Sequence, residues 1–264
     1  MALTSPLPIT ADLAARLAGA AAARIATEPP TTAYPDLDLT TAYEIQDAVV
    51  DTRVRAGHPV VGAKTGLTSE AKQRQMKVAE PIYGWLTADM RIEVGAPLEC
   101  GRFGQPRVEP EIAFLLGRDL EGPGVGAAEV LAAAQAVTVA LDVLDSRYAG
   151  YRFTLPDVVA DNASAAGFVL GGMVVPPHGI DLRLVGCVFE HNGELAATAA
   201  GAAVLGHPAA AVAWLVRSLA ARGQGLRAGQ VVLAGALTEA FPVVPGDVVV
   251  VRIDRIGTIE IPCV

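Results

Sequence analysis

Cysteine is scarce in this sequence: Cys100, Cys187 and Cys263 are odd in number and far apart. No pair has metal-ligand spacing and no disulfide framework follows, so the expectation is reduced thiols in a cytoplasmic protein. Histidine is scarce too, and His58, His178, His191 and His207 show no ligand spacing, which argues against a zinc centre. A positive charge excess is missing: the 264-residue chain carries a formal net charge of −8. That balance speaks against nucleic acid or an anionic membrane as a partner, since both call for a basic surface. A long apolar run is missing as well. The longest, 199–216, is broken by His207-Pro208 and is mostly Ala and Gly, so it reads as a core helix with its approach and not as a membrane span. The N-terminus lacks a basic n-region, and Asp12 and Arg16 interrupt its apolar stretch, so no signal peptide is expected. Lysine is the last scarcity: of 20 Lys and Arg residues only Lys64, Lys72 and Lys77 are lysine. Arginine serves here as the generic cation, and a lysine kept in an apolar, Gly-flanked setting asks for a reason.

What is present is a sizeable supply of core: 52% hydrophobic residues against 18% charged, a balance that excludes disorder. Thr10 can cap a helix over roughly 11–26, and Thr41-Ala-Tyr-Glu44 fits a capping box for a second over roughly 42–56. Short strands are expected at 59–64 and 112–116, a polar helix at 69–77 and another helix at 127–136. In 137–144, Val137, Val139, Leu141 and Val143 face one way and Thr138, Ala140, Asp142 and Leu144 the other. Asn192-Gly193 marks a two-residue hairpin between strands at 185–190 and 195–198. Pro208 opens a helix that Gly223 closes, and 231–233, 248–253 and 258–261 are further strands. Helices first, then a β-rich body with two inserted helices, gives an α+β class and not an alternating doubly wound pattern.

The chemistry concentrates in Arg107-Val-Glu109-Pro-Glu111. Pro110 keeps Glu109 extended and cannot donate to a ladder, which predicts a sheet edge or bulge. In an extended segment Glu109 and Glu111 project to one face, about 7 Å apart. Two adjacent carboxylates repel unless a cation or a proton lies between them; the ordinary alternative is two solvated glutamates. Asp142 sits in a strand of apolar and small neighbours, where a lone carboxylate is costly unless it is paired with an arginine or bound to metal. Three carboxylates around one opening suit Mg²⁺ or Mn²⁺ and leave about three octahedral positions for water or a chelating substrate. Lys64, in Val60-Val-Gly-Ala-Lys64-Thr-Gly66, is either a snorkelling surface lysine or a cation aimed at an anionic substrate. Ser164 lies in a polar cluster, Asp161-Asn162-Ala-Ser164, and Gly235-Ala-Leu-Thr238 offers a backbone cradle for a small ligand.

Six ordered blocks from about Ala42 to the C-terminus carry a resemblance: 62–76, 80–87, 107–125, 141–148, 159–172 and 199–215. Together they resemble the 2-oxopent-4-enoate hydratase / 2-oxo-3-hexenedioate (4-oxalocrotonate) decarboxylase family of the fumarylacetoacetate-hydrolase-like superfamily. The resemblance implies one catalytic domain over 1–264, with a mainly helical segment (1–58) ahead of a mixed β-roll (59–264). It implies Mg²⁺ or Mn²⁺ on Glu109, Glu111 and Asp142, where the third position is usually Glu and Asp is one methylene shorter. It places Lys64, Ser164 and Thr238 at the substrate, with Lys64 in a catalytic role. It further implies a homo-oligomer, a complex with a related hydratase, and a small 2-oxo acid as substrate in aromatic meta-cleavage catabolism. Such an acid chelates a metal through its keto oxygen and C1 carboxylate, and the metal then serves as Lewis acid when CO₂ leaves. No organic cofactor is needed.

Two branches share that machinery. Hydratases of the family typically show an Asp in a Pro-Asp-Phe-Gly segment, whereas this chain has Pro81-Ile82-Tyr83-Gly84. Ile82 can neither accept a proton nor hold a water, which favours decarboxylation over hydration. Arg147 or Arg152 is the expected partner of a distal carboxylate, or else a structural ion-pair residue. A non-catalytic assembly subunit is the remaining alternative, and it has no need of buried acids.

Overall fold

The computed structural model describes residues 8–264 except 70–72, 75–77 and 79. Helices α1 (Pro8–Ala23), α2 (Pro30–Ala33) and α3 (Leu39–Arg55) come first. Strands β1 (Val60–Gly66), β2 (Ile82–Thr87), β3 (Arg91–Ile92) and β4 (Arg107–Leu116) follow. Then come α4 (Ala127–Ala133), β5 (Ala134–Leu144), α5 (Leu155–Ala160), β6 (Ala165–Leu170), β7 (Gly186–His191) and β8 (Glu194–Ala200). The chain finishes with α6 (Pro208–Ala220), β9 (Val231–Ala236), β10 (Phe241–Pro242), β11 (Val248–Ile253) and β12 (Gly257–Pro262). The helix expected over 69–77 falls largely outside the described residues.

Two sheets carry the fold: a mixed one of eight strands ordered β2-β1-β9-β4-β5-β6-β3 with β10 beside β4, and an antiparallel one ordered β12-β11-β7-β8. The alternation expected in β5 is what joins them. Val137, Val139, Leu141 and Val143 pack into the main core with Val249, Val251, Ile259 and Ile261 of the smaller sheet. The opposite face of the larger sheet holds a second cluster, in which Ala113, Ala140, Phe168 and Leu233 meet. Parity puts Glu111 and Asp142 on that second face, because each lies two residues from a member of the cluster.

A third cluster fastens the N-terminal helices to the body. Leu13 and Leu17 of α1 and Ile45 of α3 bury against Ile82, Val158, Val159 and Ala163. The α3 start differs from expectation: Asp38 caps the helix, its carboxylate accepting from the Thr41 amide at 2.7 Å. Thr10 lies inside α1, buried, and does not cap it. Helix α4 stops at Ala133, three residues early, because Ala134 is already paired with Leu116 at the end of β4. Pro110 occupies neither an edge nor a plain central position. On one side it pairs with Leu141; on the other it falls between the end of β9 (Glu111↔Ala236) and the start of β10 (Phe241↔Val108). Its missing N–H therefore leaves no ladder bond unmade.

Candidate metal centre and substrate cavity

Strand register assembles the acidic cluster. Glu109 on β4 stands directly across from Asp142 on β5, and Glu111 follows Glu109 on the same face. One carboxylate oxygen from each of the three lies within 4.8 Å of the others, and all three residues are buried. Glu111 and Asp142 are fully inaccessible and Glu109 is 8% exposed. The Gly235 amide donates to Glu111 Oε2 at 2.6 Å. Only glycine serves there: φ is +111°, and a Cβ would lie 2.3 Å from Thr68 Oγ1. The other Glu111 oxygen, Oε1, is buried with no hydrogen-bond partner.

Lys64 reaches this cluster across two strands. It lies on β1, paired with Leu233 of β9 and Gly84 of β2, is 2% exposed, and its Nζ donates to Asp142 Oδ2. The snorkelling alternative is thereby removed, since the ammonium is inside and not at the surface. Burial works against the Lys64 charge, but Asp142, and then Glu109 and Glu111, hold the ammonium above its ordinary value. Glu111 is pushed well above the ordinary carboxylate range by burial and by the charge of Asp142, against the pull of Lys64. One cation faces three acids, and the residual negative charge together with the orphaned Glu111 oxygen is the environment a divalent cation completes. The residues present fit a hard, oxygen-liganded ion; among the described residues they form the one such acidic group that could hold a metal.

A cavity of about 130 Å³ opens beside the cluster. It is lined by Lys64 and Glu109 at one end and by Leu67, Ile82, Leu144, Tyr151, Phe153 and Val158 elsewhere. Ser164 also lines it, held by an unusual turn: Asn162, Ala163 and Ser164 take φ of 51°, 51° and 57°. Three consecutive non-glycine residues in the left-handed region are strained, and such strain persists only where the surroundings over-determine it. Here the Asn162 side chain replaces a strand neighbour for Trp85, accepting from its amide at 2.8 Å and donating to its carbonyl at 2.9 Å. Gly84, next to Trp85, is also required, because a Cβ would lie 2.5 Å from the Asn162 carbonyl oxygen.

Of the residues singled out from sequence, Lys64, Glu109, Glu111, Asp142 and Ser164 are brought to one place. Thr238 is half-buried, its hydroxyl donating to the Glu239 carbonyl at 3.0 Å, and is not among the residues lining the cavity. Arg147 is occupied elsewhere: it pairs with Asp161 and donates to the Asp145 carbonyl at 2.7 Å. Arg152 is exposed. His207 caps α6, with Nδ1 accepting from the Ala209 amide at 2.9 Å. The cavity wall formed by Tyr151 and Phe153 was not anticipated. Its signal was available: in a chain with 5% aromatics, three fall within 148–153.

Comparison with known proteins agrees with this geometry. Residues 59–264 match the family described as fumarylacetoacetate (FAA) hydrolase C-terminal. A 4-oxalocrotonate decarboxylase from Pseudomonas sp. (strain CF600) is 43% identical over 222 residues, 84% of each chain. A 2-keto-4-pentenoate hydratase from Paraburkholderia xenovorans (strain LB400) is 42% identical over 227 residues, 86% of this chain and 84% of that one. The solved structure of 4-oxalocrotonate decarboxylase from Pseudomonas putida G7, complexed with magnesium and adipate, superimposes over the whole of both chains with a TM-score of 0.95 at 36% identity.

Proposed function

Because the chain belongs to the fumarylacetoacetate-hydrolase family, we propose that it is a Mg²⁺- or Mn²⁺-dependent lyase that decarboxylates 2-oxo-3-hexenedioate to 2-hydroxypenta-2,4-dienoate and CO₂. Near-equal identity to a decarboxylase and a hydratase leaves the branch to the site itself. The observation that carries the choice is that Ile82 lines the cavity, in the segment where the family resemblance implies an Asp for a hydratase, which needs a group that activates water. Apart from Lys64, Glu109, Tyr151 and Ser164, the lining side chains are apolar, and the Tyr151 hydroxyl already donates to the Gln105 carbonyl at 3.2 Å.

Glu109, Glu111 and Asp142 would hold the ion, which when bound supplies Lewis acidity toward the keto oxygen of a chelated 2-oxo acid. The chain's own residues do the rest. Lys64 places a buried positive charge beside the oxygen that receives the electron pair as the C5–C6 bond breaks and the pair moves through the C3–C4 alkene. The apolar side of the cavity excludes water from the cleavage step. Ser164, which lines the cavity, would orient the C1 carboxylate or keto group by hydrogen bonding. We place the enzyme in the cytoplasm as a homo-oligomer, with a related hydratase as the partner that consumes its dienol product.

The test is to supply 2-oxo-3-hexenedioate and 2-hydroxypenta-2,4-dienoate separately, with Mg²⁺, and identify the products. CO₂ from the diacid with little change in the dienol is expected. Formation of 4-hydroxy-2-oxopentanoate from the dienol, with no CO₂ from the diacid, would assign the chain to the hydratase branch instead.

A further inference from the structure

A substrate with a second carboxylate presents a charge that the metal end of the cavity cannot serve. Three arginines near the site are spent or misplaced. Arg147 is bonded to Asp161, Arg152 is exposed, and Arg222 donates to Asp47 and to the Tyr83 hydroxyl, each at 2.7 Å. Arg107 is different. It opens β4 two residues before Glu109, so Arg107, Glu109 and Glu111 form a single file on one strand face, with steps of about 7 Å. Its ladder partner is Leu144, a residue of the cavity wall. Among the described residues it forms no ion pair, although it is only partly exposed. Its guanidinium lies 4.1 Å from the centroid of the Tyr151 ring, which also lines the cavity. A cation stacked on a ring face keeps its hydrogen-bonding edges free for a planar carboxylate.

The surrounding loop is built to hold this pair. Tyr151 takes a left-handed φ of 58° directly after Gly150 at 63°. Gln105, two residues before Arg107, fixes the strained corner by donating to the Ser146 and Tyr148 carbonyls at 2.7 Å and accepting from the Gly150 amide at 3.0 Å. The segment that supplies the cation therefore also sets the ring against which it rests.

We propose that Arg107, stacked on Tyr151, is the specificity-determining residue that binds the distal carboxylate of a six-carbon dicarboxylate whose other end is held at Glu109 and Glu111. The inference rests on the proposed reading of the acidic cluster as the anchor for a metal-chelated 2-oxo acid. One strand step from the acids is the right order of reach for the far end of such a molecule. An ion pair to the departing carboxylate favours the bound substrate over the transition state, from which negative charge has moved toward the keto oxygen. Arg107 therefore lowers KM without raising kcat.

Calorimetry in Mg²⁺ with two unreactive probes separates the possibilities: adipate, a saturated six-carbon diacid, and 2-oxopentanoate, which has no distal carboxylate. Arg107→Met is expected to weaken adipate by about 10–100-fold and leave 2-oxopentanoate within about twofold. Arg107→Lys is expected to recover part of the loss, since charge and not ring packing is at issue. In turnover, Arg107→Met raises KM for the diacid with kcat unchanged or higher. Equal weakening of both probes, or of neither, overturns the proposal, as does a fall in kcat without a rise in KM. If wild-type protein binds 2-oxopentanoate no better with Mg²⁺ than without, the reading of the acidic cluster fails and not merely that of Arg107.

Discussion

Two buried ion pairs, one with its acid on β5 and one just past the end of that strand, teach opposite lessons. At Arg147–Asp161 the guanidinium is bonded to both the carboxylate and the carbonyl of Asp161 and to the Asp145 and Ala165 carbonyls, while the Arg147 amide donates back to Asp161 Oδ2 at 3.1 Å. Every charge has a partner, and the result is a clamp that shapes the turn carrying Ser164. At Lys64–Asp142 the same kind of pair has two further carboxylates beside it, one of them with an orphaned oxygen. Both pairs are buried; the difference is completeness. A finished pair is structural, and an unfinished one is a site waiting for an ion.

Removing one charge should have opposite consequences at the two clusters. At the unfinished one, Glu111→Gln should reduce Mg²⁺-dependent turnover by more than about 10³-fold, while the metal-free protein melts no lower than wild type, since a repelling charge has gone. Thermal melting with and without EDTA, alongside steady-state assay, checks both halves. Lys64→Met belongs with it: turnover should fall by at least about 10²-fold, with Mg²⁺ still bound in calorimetry.

At the finished cluster, Arg147→Met should cost about 3–5 kcal/mol of stability, because it leaves Asp161 buried and uncompensated. Urea unfolding reads this directly, and a loss under about 1 kcal/mol would dissolve the comparison. Next in size is Ile82→Asp, which puts a water-holding carboxylate into the apolar wall. CO₂ release should drop by about 10–100-fold, and hydration of the dienol should become detectable by product chromatography. Smallest is an exposed pair: Arg91, 3.3 Å from Glu93, has both side chains more than half exposed. Arg91→Met should change stability by less than about 0.5 kcal/mol and turnover not at all.

Local chemistry was legible in the sequence. Asn192 and Gly193 adopt φ of 55° and 80° in the expected hairpin, because a two-residue turn between strands asks for those residues. The acids were legible because an i, i+2 pair in a strand has one geometry, and because Asp142 has no polar neighbour to explain it. What could not be read was non-local. Nothing in the spacing of Lys64 and Asp142 says that β9 and β4 will lie between their strands and still let the side chains meet. Arg107 does not stand out from Arg147 and Arg152 in the sequence, because its stacking on Tyr151 depends on a left-handed corner that no glycine at position 151 announces. The Asn162–Ser164 turn was hidden for the same reason, since its strain is repaid by Trp85, far away in the chain.

The most direct test of metal-dependent decarboxylation is isotopic. EDTA-treated protein is given 2-oxo-3-hexenedioate labelled with ¹³C at C6, first without metal and then with Mg²⁺. Labelled CO₂ is expected only after Mg²⁺ is added, with no label retained in the dienol. Label kept in the organic product, or CO₂ released at the same rate without metal, would contradict this expectation.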